Sequence, residues 1–225
     1  MKKLRLGLIG TGFMGKTHAL AFRNLKAVMG DVPEVELSCL CELPLSRAQE
    51  IADQFGFAQA TDDWRAMVND PDIDFVSITA PNGLHHEMAL EAIAAGKHVY
   101  CEKPLAITLE QAAEMAAAAQ AAGVKTMVGY NYIKNPAFTH AIELIESGAI
   151  GAPVHFRGWV DEDYQADPDL PWTWRAKKSE AGLGTLGDLG CHLVSMAQGL
   201  IGSVDSLIAD TQIIHKTRPL PDGTG

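Results

Sequence analysis

The sequence predicts an α/β protein: a doubly wound parallel sheet first, then a second α/β domain whose open sheet is incomplete within this chain. Three observations lead there. From Leu4 to Gly129, short apolar runs alternate with helix-period segments, the rhythm of strand-helix-strand units. The first run ends in Gly10-Thr11-Gly12-Phe13-Met14-Gly15 and opens directly into a helix, the context that lifts a G-x-G-x-x-G segment above coincidence. Beyond Asn131 the rhythm changes, dividing the chain into a domain over 1–130 and another over 131–225.

The apolar runs at 4–9, 35–41, 75–79, 97–101 and 124–129 each have about the length of a strand. Between them, 14–28, 46–55, 64–68, 84–95 and 109–121 have helical spacing, with Gly56, Gly96 and Gly123 as stop signals. Thr108 and Gln111 form a candidate capping box for an alanine-rich helix whose composition reflects helix propensity alone. In the second domain the pattern gives a helix at 137–147, strands at 154–160 and 204–214, a polar loop at 161–171, and a helix at 188–200. The polar segment 218–225 resembles a loop between strands, so the sheet is expected to be interrupted there.

Bulk properties exclude several classes. With 225 residues, 47% hydrophobic and 20% charged, the chain has the composition of a packed globular protein. A net charge of −10 disfavours a nucleic-acid partner, which requires clustered Lys and Arg. The apolar run at 4–9 is too short for a signal peptide, and no run approaches the ~18 residues of a membrane span. A cytoplasmic protein with no membrane association is therefore expected. Cys39, Cys41, Cys101 and Cys191 read as reduced thiols, because a zinc site would show further paired ligands beyond the single C-x-C; no metal is expected.

In the glycine segment, Gly10 suits the tight turn, Gly12 lets the backbone approach a pyrophosphate, and Gly15 permits close helix packing. Glu42, at the end of the second strand, stands where a carboxylate accepts hydrogen bonds from an adenosine ribose. Leu43, Pro44 and Leu45 follow it and the nearest base is Arg47, so NAD is favoured, with NADP as the alternative. Thr79, Ala80, Pro81 and Asn82 lie at the carboxyl edge of the third apolar run, where ligands gather in such sheets.

Further motifs complete the pattern: Ala80-Pro81-Asn82 followed by His85, Cys101-Glu102-Lys103-Pro104, and Gly187-Asp188-Leu189-Gly190-Cys191-His192. Together with the glycine segment they resemble the Gfo/Idh/MocA oxidoreductase family, over essentially the whole chain. The resemblance implies a Rossmann domain followed by an α/β catalytic domain whose open sheet commonly builds a dimer or tetramer, and family members are usually longer than this chain. It implies Lys103, Asp188 and His192 as the catalytic set. Cofactor contacts are expected from Gly10, Gly12, Phe13, Met14, Gly15, Glu42, Thr79, Ala80, Pro81, Asn82, His85, Glu102, Lys103 and Arg175. Substrate contacts are expected from Lys103, Asn131, Tyr164, Trp172, Asp188 and His192. Where the family often has arginine after Gly129-Tyr130-Asn131-Tyr132, this chain has Ile133 and Lys134, which leaves a contact there open. His18, His86, His98, His140, His155 and His215 receive no role.

The residue chemistry agrees with that assignment. Asp188 and His192 are spaced i, i+4 and project from one helix face. Histidine titrates near neutrality and can accept the hydroxyl proton, while a lysine ammonium stabilises developing alkoxide charge. The expected activity is NAD(P)-dependent oxidation of a secondary alcohol on a sugar, inositol or related polyol. The alternatives are transient oxidation by a tightly held nicotinamide and a non-catalytic nucleotide-binding sensor.

Overall fold

Six apolar or short extended runs become strands, and each is parallel to its neighbours: β1 (Leu4–Ile9), β2 (Val35–Cys41), β3 (Gln59–Thr61), β4 (Phe75–Ile78), β5 (His98–Cys101) and β6 (Thr126–Val128). Their order in the sheet is β3-β2-β1-β4-β5-β6. The helices between them are α1 (Phe13–Met29), α2 (Leu45–Phe55), α3 (Trp64–Asn69), α4 (Asn82–Ala94) and α5 (Leu109–Ala122). This computed structural model describes residues 3–221, and the chain divides into two compact units, Met1–Gly129 and Tyr130–Gly225.

A parallel sheet is covered on both faces, so its strands are apolar on both. Leu6, Leu8, Leu37 and Leu40 pack with Ala19, Ala48, Ile51 and Phe55 in one layer. Ile9, Cys39, Cys41, Val76, Ile78 and Cys101 pack with Met67, Met88, Ala92 and Met115 in the other. Leu37 and Leu40 share a layer although three residues apart, because the pairing of β1 with β2 skips Ser38, a bulge that breaks the two-residue alternation.

Helix ends follow their local chemistry. Asp63 accepts from Ala66 N at the start of α3, and left-handed Gly56 and Gly123 close α2 and α5. The box at Thr108 is only half made: Thr108 Oγ1 accepts from Gln111 N at 3.3 Å, while Gln111 Oε1 is buried without a partner.

In the second unit, α6 (Pro136–Glu146) is capped by Asn135, whose side chain accepts from Ala137 N, and begins with proline. The short α7 (Lys178–Ala181) follows the polar loop, and α8 (Cys191–Ile201) continues from a π-helical turn, Leu186–Gly190. The helix expected at 188–200 is thus two joined pieces. The strands expected at 154–160 and 204–214 are not formed. Both segments are exposed, with Val154 at 99% and Ile208 at 102%, and neither joins a ladder among the described residues. A strand pattern without a neighbouring strand has no hydrogen bonds to hold it. Conversely β3, three residues long, carries too little apolar pattern to be anticipated.

Candidate functional site

In the first unit, strand register gathers the expected residues at one edge. Ile9 is level with Cys41 and Ile78, and Ile78 with Cys101. Gly10, Glu42, Thr79 and Glu102 therefore all emerge at the carboxyl end of the sheet. The strand order reverses between β1 and β4, the position where parallel sheets of this order open a crevice.

The glycine segment has the geometry of a phosphate cradle. Gly10 has φ +92°, and a Cβ there would lie 2.8 Å from Thr79 O. A Cβ on Gly15 would collide with Gly10 O. At Gly12 nothing lies within 4 Å of the Cβ position. The start of α1 has no side-chain cap and no acidic residue in its first turn, which leaves its N–H groups for an anion. These residues fit a dinucleotide.

Glu42 is tied to this cradle. Its Oε2 accepts from Thr11 N at 2.8 Å and Thr11 Oγ1 at 2.7 Å, and its Oε1 accepts from Leu43 N at 2.8 Å. The Thr79 hydroxyl, in contact with Ile9 O at 2.9 Å and Gly10 O at 3.0 Å, fastens β4 to the same turn. Gly12, Phe13 and Pro81 are exposed, Met14, Ala80 and Lys103 half-buried, and Asn82 buried at the start of α4.

Two expected cofactor contacts turn inward instead. His85 is 0% exposed, with Nδ1 at 2.9 Å from Pro104 O and Nε2 at 2.8 Å from Ala80 O. It bridges the loops after β4 and β5 and has no surface to present to a ligand. Burial pushes its pKa down, although the two carbonyls oppose that shift. The Glu102 carboxylate is likewise buried, 2.9 Å from His18 Nε2, and accepts from Lys103 N at 3.1 Å.

In the second unit, the π-helical turn carries Asp188 and the first turn of α8 carries His192. Tyr164 Oη donates to Asp188 Oδ2 at 2.5 Å, and Arg175 Nε lies 3.4 Å from the same oxygen. Burial, then Asp188, pushes the Tyr164 phenol well above its ordinary range. Arg175, expected at the cofactor, also lies over the Trp174 ring at 4.5 Å. The His192 ring is buried, stacked on Tyr132 at 4.2 Å and edge-on to Tyr130 at 6.3 Å. Trp172 is half-buried and donates its backbone N–H to Pro219 O at 2.7 Å, while Asn131 is exposed.

Sequence reasoning missed His18, Tyr130 and Tyr132. His18 could have been suspected from its place three residues after Gly15, facing the sheet. The tyrosines stand in the segment Gly129-Tyr130-Asn131-Tyr132, but a ring stacked on a histidine sixty residues later is a product of folding alone. Among the described residues, no group of three or more His, Cys, Asp or Glu side chains could hold a metal ion. No helix among them is long and apolar enough to cross a membrane.

Comparison with known proteins matches both units. Residues 4–130 match the oxidoreductase family NAD-binding Rossmann fold model, and residues 138–224 match the GFO/IDH/MocA C-terminal domain model. The chain is 42% identical to a levoglucosan dehydrogenase of Pseudarthrobacter phenanthrenivorans, over 99% of its own length and 57% of the relative's. A crystal structure of an NAD binding oxidoreductase from Klebsiella pneumoniae superposes with TM-score 0.93 at 49% identity, over 98% of this chain and 59% of that one. A levoglucosan dehydrogenase in complex with NADH and levoglucosan superposes with TM-score 0.96 at 41% identity, over 99% and 60%. The chain therefore spans less than two thirds of the length of these relatives.

Proposed function

The chain belongs to the Gfo/Idh/MocA oxidoreductase family, and on that premise we propose that it oxidises a secondary alcohol of a sugar, inositol or related polyol with NAD. An anhydrosugar is the first substrate to try, given the levoglucosan dehydrogenase relative. The observation that carries this reading is the strand register that brings the glycine cradle, Glu42 and the residues leading to Lys103 to one sheet edge.

We assign 1–130 to nucleotide binding and 131–225 to the substrate. Gly10, Gly12, Gly15 and the start of α1 would hold the pyrophosphate, and Glu42 the ribose hydroxyls. Bound NAD supplies the hydride acceptor. His192 takes the hydroxyl proton, its ring plane set by Tyr132. Lys103 is assigned to stabilise alkoxide character on the substrate as the proton leaves. Asp188, already accepting from Tyr164, would accept a substrate hydroxyl on its remaining lone pairs. A homo-oligomer is part of this proposal, for a protein in which the sheet of the second domain is complete. Four free thiols fit a reducing, cytoplasmic setting.

The test is the near-ultraviolet absorbance of reduced nicotinamide, with NAD and then NADP, against anhydrosugars, hexoses, pentoses and inositols. Accumulating signal with NAD is expected. If NAD binds and no sugar produces net reduction, the dehydrogenase reading fails, and transient oxidation or a sensor role takes its place.

A further inference from the structure

A buried line of hydrogen bonds runs from the first helix to the peptide of Lys103. His18 on α1 is stacked on Tyr100, with ring centroids 4.7 Å apart and planes 29° apart. Its Nδ1 meets Ser77 Oγ at 2.8 Å and its Nε2 meets Glu102 Oε1 at 2.9 Å. A carboxylate only accepts, so Nε2 is the donor. The other oxygen of Glu102 accepts the Lys103 N–H at 3.1 Å. At Gly129 a Cβ would stand 2.5 Å from Glu102 Oε1, so the residue after β6 leaves the space that seats this carboxylate. A carboxylate this deeply buried is costly unless fully bonded, and its bonds define the orientation of whatever it holds.

We propose that His18 is a positioning residue for Lys103, acting through Glu102, so that the helix carrying the glycine cradle also sets the lysine. This rests on the reading of Lys103 as catalytic. His18 begins the line three residues beyond Gly15, and its ring is held from behind by Ser77 and from the side by Tyr100. Displacing it frees Glu102 to rotate, and the Lys103 peptide turns with it. Cofactor affinity is expected to survive, because the cradle is held separately by Thr79 and Glu42.

Two amides separate positioning from simple packing. In His18→Gln the side-chain amide reaches the place of Nε2 and can donate to Glu102. In His18→Asn it reaches only the place of Nδ1 and can bond Ser77. Lysines are reductively dimethylated with 13C-formaldehyde, the Lys103 methyl resonance is identified by its loss in Lys103→Arg, and NADH affinity is read by fluorescence. His18→Asn is expected to move the Lys103 resonance, while His18→Gln leaves it near the wild-type position. On unmodified protein, His18→Asn should lower kcat by about a hundredfold, the scale of a misplacement of roughly 1 Å. KM for NAD should stay within about twofold, and His18→Gln should recover most of the rate. His18→Phe, which keeps the stacking, should behave like His18→Asn. Should both Asn and Gln variants fold and leave the Lys103 resonance unmoved, the proposal is overturned, whatever the turnover. If the resonance moves as expected while no sugar is oxidised even by the wild type, the positioning role stands and the dehydrogenase reading falls.

Discussion

Tyr164 donates its phenol hydrogen to Asp188 across 2.5 Å, joining the polar loop after 160 to the π-helical turn that leads into α8. Arg175 approaches the same carboxylate oxygen, so one residue orders two segments. Tyr164→Phe leaves Asp188 with Arg175 and releases the loop. KM for the sugar should rise several-fold, up to about tenfold, the scale of one partly exposed hydrogen bond to a charge, with kcat nearly unchanged. Initial-rate kinetics check this; a fall in kcat at constant KM would instead place the phenol in proton transfer.

The glycine cradle allows a paired test. Gly15→Ala drives a methyl into the Gly10 carbonyl and should cost about 1–3 kcal/mol of stability, as overpacking against immobile atoms does. Gly12→Ala meets nothing within 4 Å and should fold normally. On the proposed role of Gly12 its methyl would occupy the approach of the pyrophosphate, so Kd for NAD should rise roughly tenfold, about 1.4 kcal/mol. Thermal melting and NAD titration together separate the two. Equal effects on melting would show that Gly12 is structural.

His85 makes stability depend on pH with a defined sign. Burial lowers its pKa in the folded chain from an ordinary 6.5. As pH falls through 6.5 the unfolded chain binds this proton more readily than the folded one, so stability is lost on acidification and is fully present above it. His85→Gln, whose amide nitrogen can donate to either carbonyl, removes the titration. Urea midpoints at about pH 7.5 and about pH 5.5 should therefore differ less in the variant than in the wild type. An equal difference in both would exclude His85 as the linked group.

Val154, Leu207, Ile208, Ile213 and Ile214 are exposed on segments without strand partners among the described residues. The 225-residue chain should bind an apolar dye and self-associate, and replacing Leu207 and Ile208 by Glu should reduce both. Light scattering with size exclusion gives the answer, and a monodisperse monomer without dye binding would contradict the expectation.

What could be read from the sequence was what is local. The run into Gly10-Thr11-Gly12 and the helix after it lie within a few residues, and their geometry follows from chirality and hydrogen bonding alone. The position of Glu42 at the sheet edge is legible because β2 ends just before it. The bulge at Ser38 was not, since it exists only in the pairing of β2 with β1. His85 was placed at the cofactor by its motif, yet its environment is decided by the Pro104 carbonyl, nineteen residues later in the chain. The same holds for Tyr164 and Asp188, whose meeting depends on how a loop is laid down. The apolar pattern at 154–160 and 204–214 predicts strands that do not form, because a strand is a property of a pair.

The bulge at Ser38 turns Cys39 and Cys41 into the same layer as Cys101, where burial pushes the first two thiols up to about 11 and about 12, and the third further. Alkylating reagents require the thiolate and physical access, so these sulfurs are silent while the sheet is intact. Cys191, half-buried in α8, is the one within reach. The chain thus carries its own clock: a first, fast labelling event reports on the second unit, and three later ones time the opening of the sheet at β2 and β5 without any added probe.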